Sequence, residues 1–217
     1  MYMSRVILNP ARRETMRALA EPQLFHGAIE QSFSMIQERR LWRVDWFNGQ
    51  CSLLLVSVRQ PDLTALVSQF GFPDSKPLWE TRSYDPLLNG LQEGQLFQFR
   101  LRANPVTSSK NSKESLERGR IYAHVTQLQQ KEWLQQRAEK HGFSLSPEGF
   151  DVVHTQWLRF SKRGGPMVSI RSAAFEGRLR VENAQLFRDA LINGIGRAKA
   201  YGCGMLTIAR ISSIQNE

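Results

Sequence analysis

The sequence predicts an α+β protein of two tandem ferredoxin-like (βαββαβ, RRM-like) domains, over residues 1–88 and 95–217. Three observations predict it. Short runs with a period of two, the strand signature, alternate with stretches of helical spacing. Asn48-Gly49-Gln50 separates two β-rich runs in the first half, and Ser161 to Pro166 separates two longer ones in the second. The resulting element order, β-α-β-β-α-β, occurs once on each side of a Pro- and Gly-containing stretch, Asp85 to Gly94, which reads as a linker. No residue-level repeat accompanies it, so the duplication rests on element order.

Tyr2 to Leu8 reads as the opening strand, with Tyr2, Ser4, Val6 and Leu8 on one face. Asn9-Pro10 offers an N-cap and a first-turn proline for a helix carrying Arg12, Arg13 and Arg17. Pro22 starts a second helix to about Arg40, with Leu24, Phe25, Ala28, Ile29, Met35 and Ile36 on its apolar face and His26 at the edge of that face. Leu41–Phe47 and Cys51–Val58 form a hairpin, Pro61 opens a helix to Phe70, and Leu78–Tyr84 closes the unit. In the second half Gln95–Ala103 alternates, with Leu96 inward and Arg100 and Arg102 exposed. Asn104 to Arg120 is polar and reads as a mobile loop. Thr126 caps a helix to His141, striped by Leu128, Trp133, Leu134 and Ala138. Phe150–Phe160 and Met167–Val181 are long strands, Ala184–Asn193 a helix and Met205–Ile211 the last strand.

The 217 residues carry 29 Lys and Arg against 20 Asp and Glu, a net charge of +9. Such a balance favours a polyanionic partner, nucleic acid before membrane, because no apolar run approaches a spanning length. Two distant cysteines, Cys51 and Cys203, and four scattered histidines leave no metal-ligand spacing. Reduced thiols, a cytoplasmic location, no cofactor and no metal site are expected.

The basic charge is grouped. No acidic residue lies between Glu93 and Glu114, where Arg100, Arg102, Lys110 and Lys113 occur. None lies between Asp151 and Glu176, where Arg159, Lys162, Arg163 and Arg171 occur. Such patches suit a phosphate backbone; an ordinary solvated strand edge would also carry them. Trp42, Trp46, Trp79 and Trp157 read as core and interface aromatics, and no RNP-type aromatic motif lies on a strand.

Before the last strand, Gly194-Ile195-Gly196-Arg197-Ala198-Lys199-Ala200-Tyr201-Gly202-Cys203-Gly204 brackets Arg197 and Lys199 with four glycines. It fits neither a dinucleotide fingerprint nor a P-loop. A basic loop with exposed N–H groups suits an anion, and a helix C-cap followed by a tight turn would account for part of it.

This glycine pattern resembles the signature of the RAMP superfamily of CRISPR RNA-binding proteins. Together with Met1-Tyr2-Met3-Ser4-Arg5-Val6, Phe97-Gln98-Phe99-Arg100-Leu101-Arg102-Ala103-Asn104-Pro105 and Phe175-Glu176-Gly177, it makes the chain similar over nearly its full length to the CasE family of type I-E Cascade endoribonucleases. The resemblance implies two ferredoxin-like domains, metal-independent cleavage of precursor CRISPR RNA at the base of the repeat stem-loop, and retention of the product with other Cascade subunits. It implies a catalytic role for His26, in Leu24-Phe25-His26. Members often carry a tyrosine three residues earlier, where this chain has Gln23, which leaves more of the assisting role to Lys162 or Arg159. Arg100, Arg102, Lys110, Lys113, Arg159, Arg163, Arg171, Gly194, Gly196, Arg197, Lys199, Gly202 and Gly204 are the expected RNA-binding positions. A non-catalytic RNA-binding subunit would share the charge and the glycines without needing His26.

Overall fold

A computed structural model of the chain describes residues 1–33, 38–109, 120–161 and 165–211. The first half contains β1 (Tyr2–Ile7), α1 (Arg13–Ala20), α2 (Gln23–Gln31), β2 (Leu41–Phe47), β3 (Gln50–Ser57), α3 (Thr64–Phe70) and β4 (Glu80–Ser83). Its strands form an antiparallel sheet in the order β2-β3-β1-β4. The period-two pattern of β1 holds, since Ser4, Val6 and Leu8 are buried. Asn48 and Gly49 both have positive φ, at 48° and 75°. They make a two-residue primed turn, and Gln50 joins the strand instead of the loop.

Helix boundaries differ from the sequence expectation for local reasons. Asn9 Oδ1 accepts from the Ala11 N–H at 3.0 Å, a turn of its own, and α1 starts only at Arg13. Asp62 does the same for Thr64, delaying α3 to that residue. The second helix ends at Gln31, not near Arg40, where Ser32 Oγ donates back to the Ala28 carbonyl at 2.9 Å. Phe25, Ala28 and Ile29 are buried as expected, whereas Met35 and Ile36 lie outside the described residues. Phe25 meets Trp42 and Phe70 edge-on, which ties α2 to β2 and α3. The expected linker contains a helix, α4 (Asp85–Asn89), whose Leu88, with Leu91 beyond it, is buried in the core of the second half.

That half contains β5 (Leu96–Ala103), β6 (Val106–Ser109), β7 (Arg120–Ala123), α5 (Gln127–Ala138), β8 (Phe143–Ser144), β9 (Phe150–Ser161), β10 (Met167–Val181), α6 (Ala184–Asn193) and β11 (Leu206–Arg210). The sheet order is β11-β5-β10-β8, with β9 also paired to β10. The chain is thus a doubled ferredoxin-like fold with additions in the second copy. One addition, the β6–β7 pair, occupies the ends of the segment expected to be a loop. On β5 the inward residues are Phe97, Phe99, Leu101 and Ala103, so Leu96 is outward at 57% exposure. Thr126 and Gln129 form a capping box on α5. Leu128 of the expected stripe is exposed, and Gln130 is buried instead, donating to the His124 carbonyl at 2.8 Å. Among the described residues no helix is long and apolar enough to cross a membrane.

β9 carries one extra residue. Ala174 pairs with His154 while Phe175 pairs with Val152, leaving Val153 as a bulge. β5 pairs with β10 only from Ala173 onward, so Met167–Ser172 and their partners on β9 project as a two-stranded ribbon.

The halves meet at edge strand β2. The Arg43 side chain there is buried; its guanidinium donates to Asp45, to the Arg100 and Met205 carbonyls, both at 2.9 Å, and to Thr207 Oγ1 at 2.8 Å. Removing one partner of a buried pair leaves the other uncompensated. Arg43→Ala is therefore expected to cost about 3–5 kcal/mol in stability, read as a lower urea midpoint; an unchanged midpoint would show that the halves do not depend on it.

Candidate active site

Because α2 buries Phe25, Ala28 and Ile29, it turns His26 towards the second half. There the ribbon end and the turn at Lys199–Tyr201 close a groove of about 1100 Å³, lined by Arg17, Gln23, His26, Gly27, Arg159 and Tyr201 among others. The His26 side chain is 41% exposed, with Nδ1 3.9 Å from Glu30 Oε1, and Glu30 also pairs with Arg40. The carboxylate thus stands at the outer limit of ion-pair range from the ring. Across the groove Gln23 Nε2 donates to the Ser161 carbonyl at 3.0 Å. That bond fixes the residue immediately before Lys162. Lys162 itself, with Lys110, Lys113 and Arg163, lies outside the described residues.

All four glycines of the loop have positive φ: 72° at Gly194, 84° at Gly196, 75° at Gly202 and 92° at Gly204. A Cβ on Gly202 would stand 2.9 Å from the Trp42 ring, and one on Gly194 would stand 2.8 Å from both the Gly204 carbonyl and Leu41. The loop is therefore pressed on β2, and Tyr201 meets Phe160 of the ribbon with ring centroids 5.0 Å apart. The N–H groups of Gly194, Ile195, Gly202 and Gly204 are taken by backbone carbonyls. At these positions the expected anion cradle is replaced by close packing. Arg197 is exposed, whereas Lys199 is half-buried, and desolvation followed by the nearby Arg39 charge lowers its pKa.

The two arginines of β5 are not the exposed pair expected from alternation. The face they occupy is covered by β2. Arg100 Nε lies 3.3 Å from Asp45 and Nη1 2.8 Å from Glu176, which offset its charge. Arg102 Nε donates to Ser172 Oγ at 2.9 Å, and burial lowers its pKa. Neither lines the groove with His26. Arg171 lies on the ribbon, where Nη2 donates to Thr155 Oγ1 at 2.8 Å.

Sequence reasoning missed Arg17, Gly27 and Tyr201 as groove residues. Gly27 had a visible signal. It is a glycine inside a helical pattern, and a Cβ there would meet nothing within 4 Å, so no packing requires it.

The fold and the site together define a doubled ferredoxin-like protein with a histidine groove between its halves rather than on either sheet. The chain belongs to the CRISPR-associated protein family, whose sequence profile matches residues 1–210. It is 29% identical over 227 aligned positions to the CRISPR-associated endoribonuclease Cse3 of Thermus thermophilus, covering 96% of this chain and 100% of that protein. It is 30% identical over 165 positions to the Cascade subunit CasE of Escherichia coli, covering 73% of this chain and 74% of that one. Among solved structures, Cse3 bound to a 19-nucleotide RNA aligns with a TM-score of 0.77 at 27% identity, covering 96% of this chain and 100% of that one. Thermus thermophilus Cse3 bound to an RNA representing a pre-cleavage complex aligns with a TM-score of 0.76 at 27% identity, covering 96% and 98%.

The two kinds of glycine give opposite expectations. Gly27→Ala should raise stability by about 0.5–1 kcal/mol, since the helix interior prefers alanine. Gly202→Ala should lower it by about 2 kcal/mol or more, from left-handed backbone plus overpacking on Trp42. Urea titrations of both variants check this; equal signs would contradict the packing account.

Proposed function

We propose that the protein is a metal-independent endoribonuclease that cleaves precursor CRISPR RNA at the base of the repeat stem-loop and retains the product as a Cascade subunit. The observation that carries this is the groove in which His26, Arg159 and the strand end preceding Lys162 face one another. The relatives named as an endoribonuclease and as a Cascade subunit support it. Two free cysteines, Cys51 and Cys203, agree with a cytoplasmic setting.

The chemistry follows from the substrate. In RNA the 2′-hydroxyl adjoins its own phosphate, so the reaction needs in-line positioning rather than an external nucleophile. The 2′-oxygen bonds to phosphorus, the bond from phosphorus to the 5′-oxygen breaks, and the products are a 2′,3′-cyclic phosphate and a 5′-hydroxyl. His26 moves a proton at the 2′- or the 5′-oxygen, the acid–base task that histidine performs most often. Lys162, with Arg159, offsets charge gathering on the phosphorane oxygens. Gln23 makes no use of a phenol; its amide holds the Ser161 carbonyl, and so acts as a positioning residue for Lys162. Arg171, Arg197 and Lys199 extend the basic surface along the RNA, with Arg163 proposed as a further RNA contact, while Gly194, Gly196, Gly202 and Gly204 shape the loop that presents part of that surface.

His26→Ala should slow cleavage by a factor of about 10²–10⁴ and leave stem-loop binding intact. A 2′-deoxy nucleotide just upstream of the cut should block the wild-type reaction, and EDTA should leave it unaffected. Normal cleavage by His26→Ala, or cleavage of the deoxy substrate, would overturn the mechanism. Gln23→Ala should slow single-turnover cleavage about ten- to a hundredfold, by loosening the strand end, at an unchanged melting temperature. A rate equal to wild type would remove the positioning role.

A further inference from the structure

The projecting ribbon has two unlike faces. Leu158, Phe160 and Ile170 lie on one, buried with Cys203 of the glycine loop. Trp157 and Arg159 lie on the other, and Arg171 stands directly across the ribbon from Trp157. The sequence reading placed Trp157 among core and interface aromatics; it is outside the core, at 42% exposure. The Arg159 guanidinium lies 5.7 Å from its ring centroid and that of Arg171 5.6 Å. Arg171 is held in place by Thr155, and no acidic residue occurs between Asp151 and Glu176 to offset either cation.

A flat ring with two guanidiniums close to it suits a flat aromatic group that carries phosphate on both sides. A nucleotide in a strand has that form. Bases inside an A-form stem are stacked on each other and hidden in a deep groove, so the matching base is unpaired. Arg159 sets its location, because it flanks Trp157 and also lines the His26 groove. Residues two apart on a strand are separated by roughly 6–7 Å, about one nucleotide step.

Resting on the ribonuclease reading above, we infer that Trp157 is the stacking platform for an unpaired base of the RNA beside the stem, with Arg159 and Arg171 on its flanking phosphates. Trp157 itself does not line the groove, so the stack contributes specificity and takes no part in the proton transfer.

The test uses full-length protein and stem-loop RNA made uncleavable by a 2′-deoxy nucleotide at the cut. A single 2-aminopurine is placed in turn at each unpaired position beside the stem. One position should be quenched on binding to wild type and to Trp157→Phe, but not to Trp157→Leu. Trp157→Leu should also bind about five- to a hundredfold more weakly, the range for loss of one base–aromatic stack. Circular dichroism and melting temperature establish that the variant is folded. Quenching that is identical in wild type and Trp157→Leu, or equal affinities of the two, would overturn the platform. Either result would leave the ribonuclease reading standing if wild type cleaves the all-ribose RNA, whereas failure of that cleavage would strike the reading itself.

Discussion

A buried guanidinium tolerates no idle N–H groups, and the Arg43 environment is arranged around that requirement. Its acceptors come from its own strand, at Asp45, and from the other half, at the Arg100 and Met205 carbonyls and Thr207. A slide of one sheet past the other would leave the charge without partners in a dry place. The contact therefore fixes relative position as well as contributing stability. Met205 directly follows the glycine loop, so the same arginine anchors the loop's C-terminal end. Its N-terminal end is anchored by α6, through the Gly194 N–H on the Ala190 carbonyl at 2.9 Å.

With both ends held, the loop can take only the course that its glycines permit, flat on Leu41 and Trp42. That course carries Tyr201 into Phe160 and supports the ribbon from beneath. The ribbon end then comes within reach of Gln23 on α2. The groove is thus the last consequence of a chain of contacts that begins with one buried ion pair. Its His26 wall rests on the first half's core and its opposite wall on the second's.

What was legible in the sequence was local. Asn48-Gly49 encodes a turn whose backbone angles only a few residues adopt easily, and the Ala184–Asn193 helix has its cap, Asn183, in the adjoining residue. The alternation of β1 reads correctly because one face of its sheet is covered by helices from the same half. The β5 arginines misled because period-two patterning says which residues share a face and not what covers that face. A strand from the other half, β2, covers it. Trp157, grouped with core and interface aromatics, is exposed because the ribbon that carries it projects beyond β5, which its own sequence does not announce. The place of His26 at a helix edge was legible from spacing, whereas the role proposed for it comes from family resemblance; as residues alone, a histidine at a helix edge carries little signal. The Gln23 contact joins positions 138 residues apart, and neither has a composition that announces it.

The bulge at Val153 has a genetic reading. Inward of it Val152 faces the helix-covered side with Phe175, and outward of it Thr155, Trp157 and Arg159 take that same side. Deleting any single residue between the bulge and the ribbon tip would exchange the faces of everything beyond the deletion. With the deletion before Trp157, Leu158 and Phe160 would turn to water, and the cationic tryptophan face would turn onto the glycine loop. Deleting two would shorten the ribbon by one pleat with its faces preserved. Length variation in this arm is thus permitted in even steps and penalised in odd ones, so the arm can change reach without losing its sidedness.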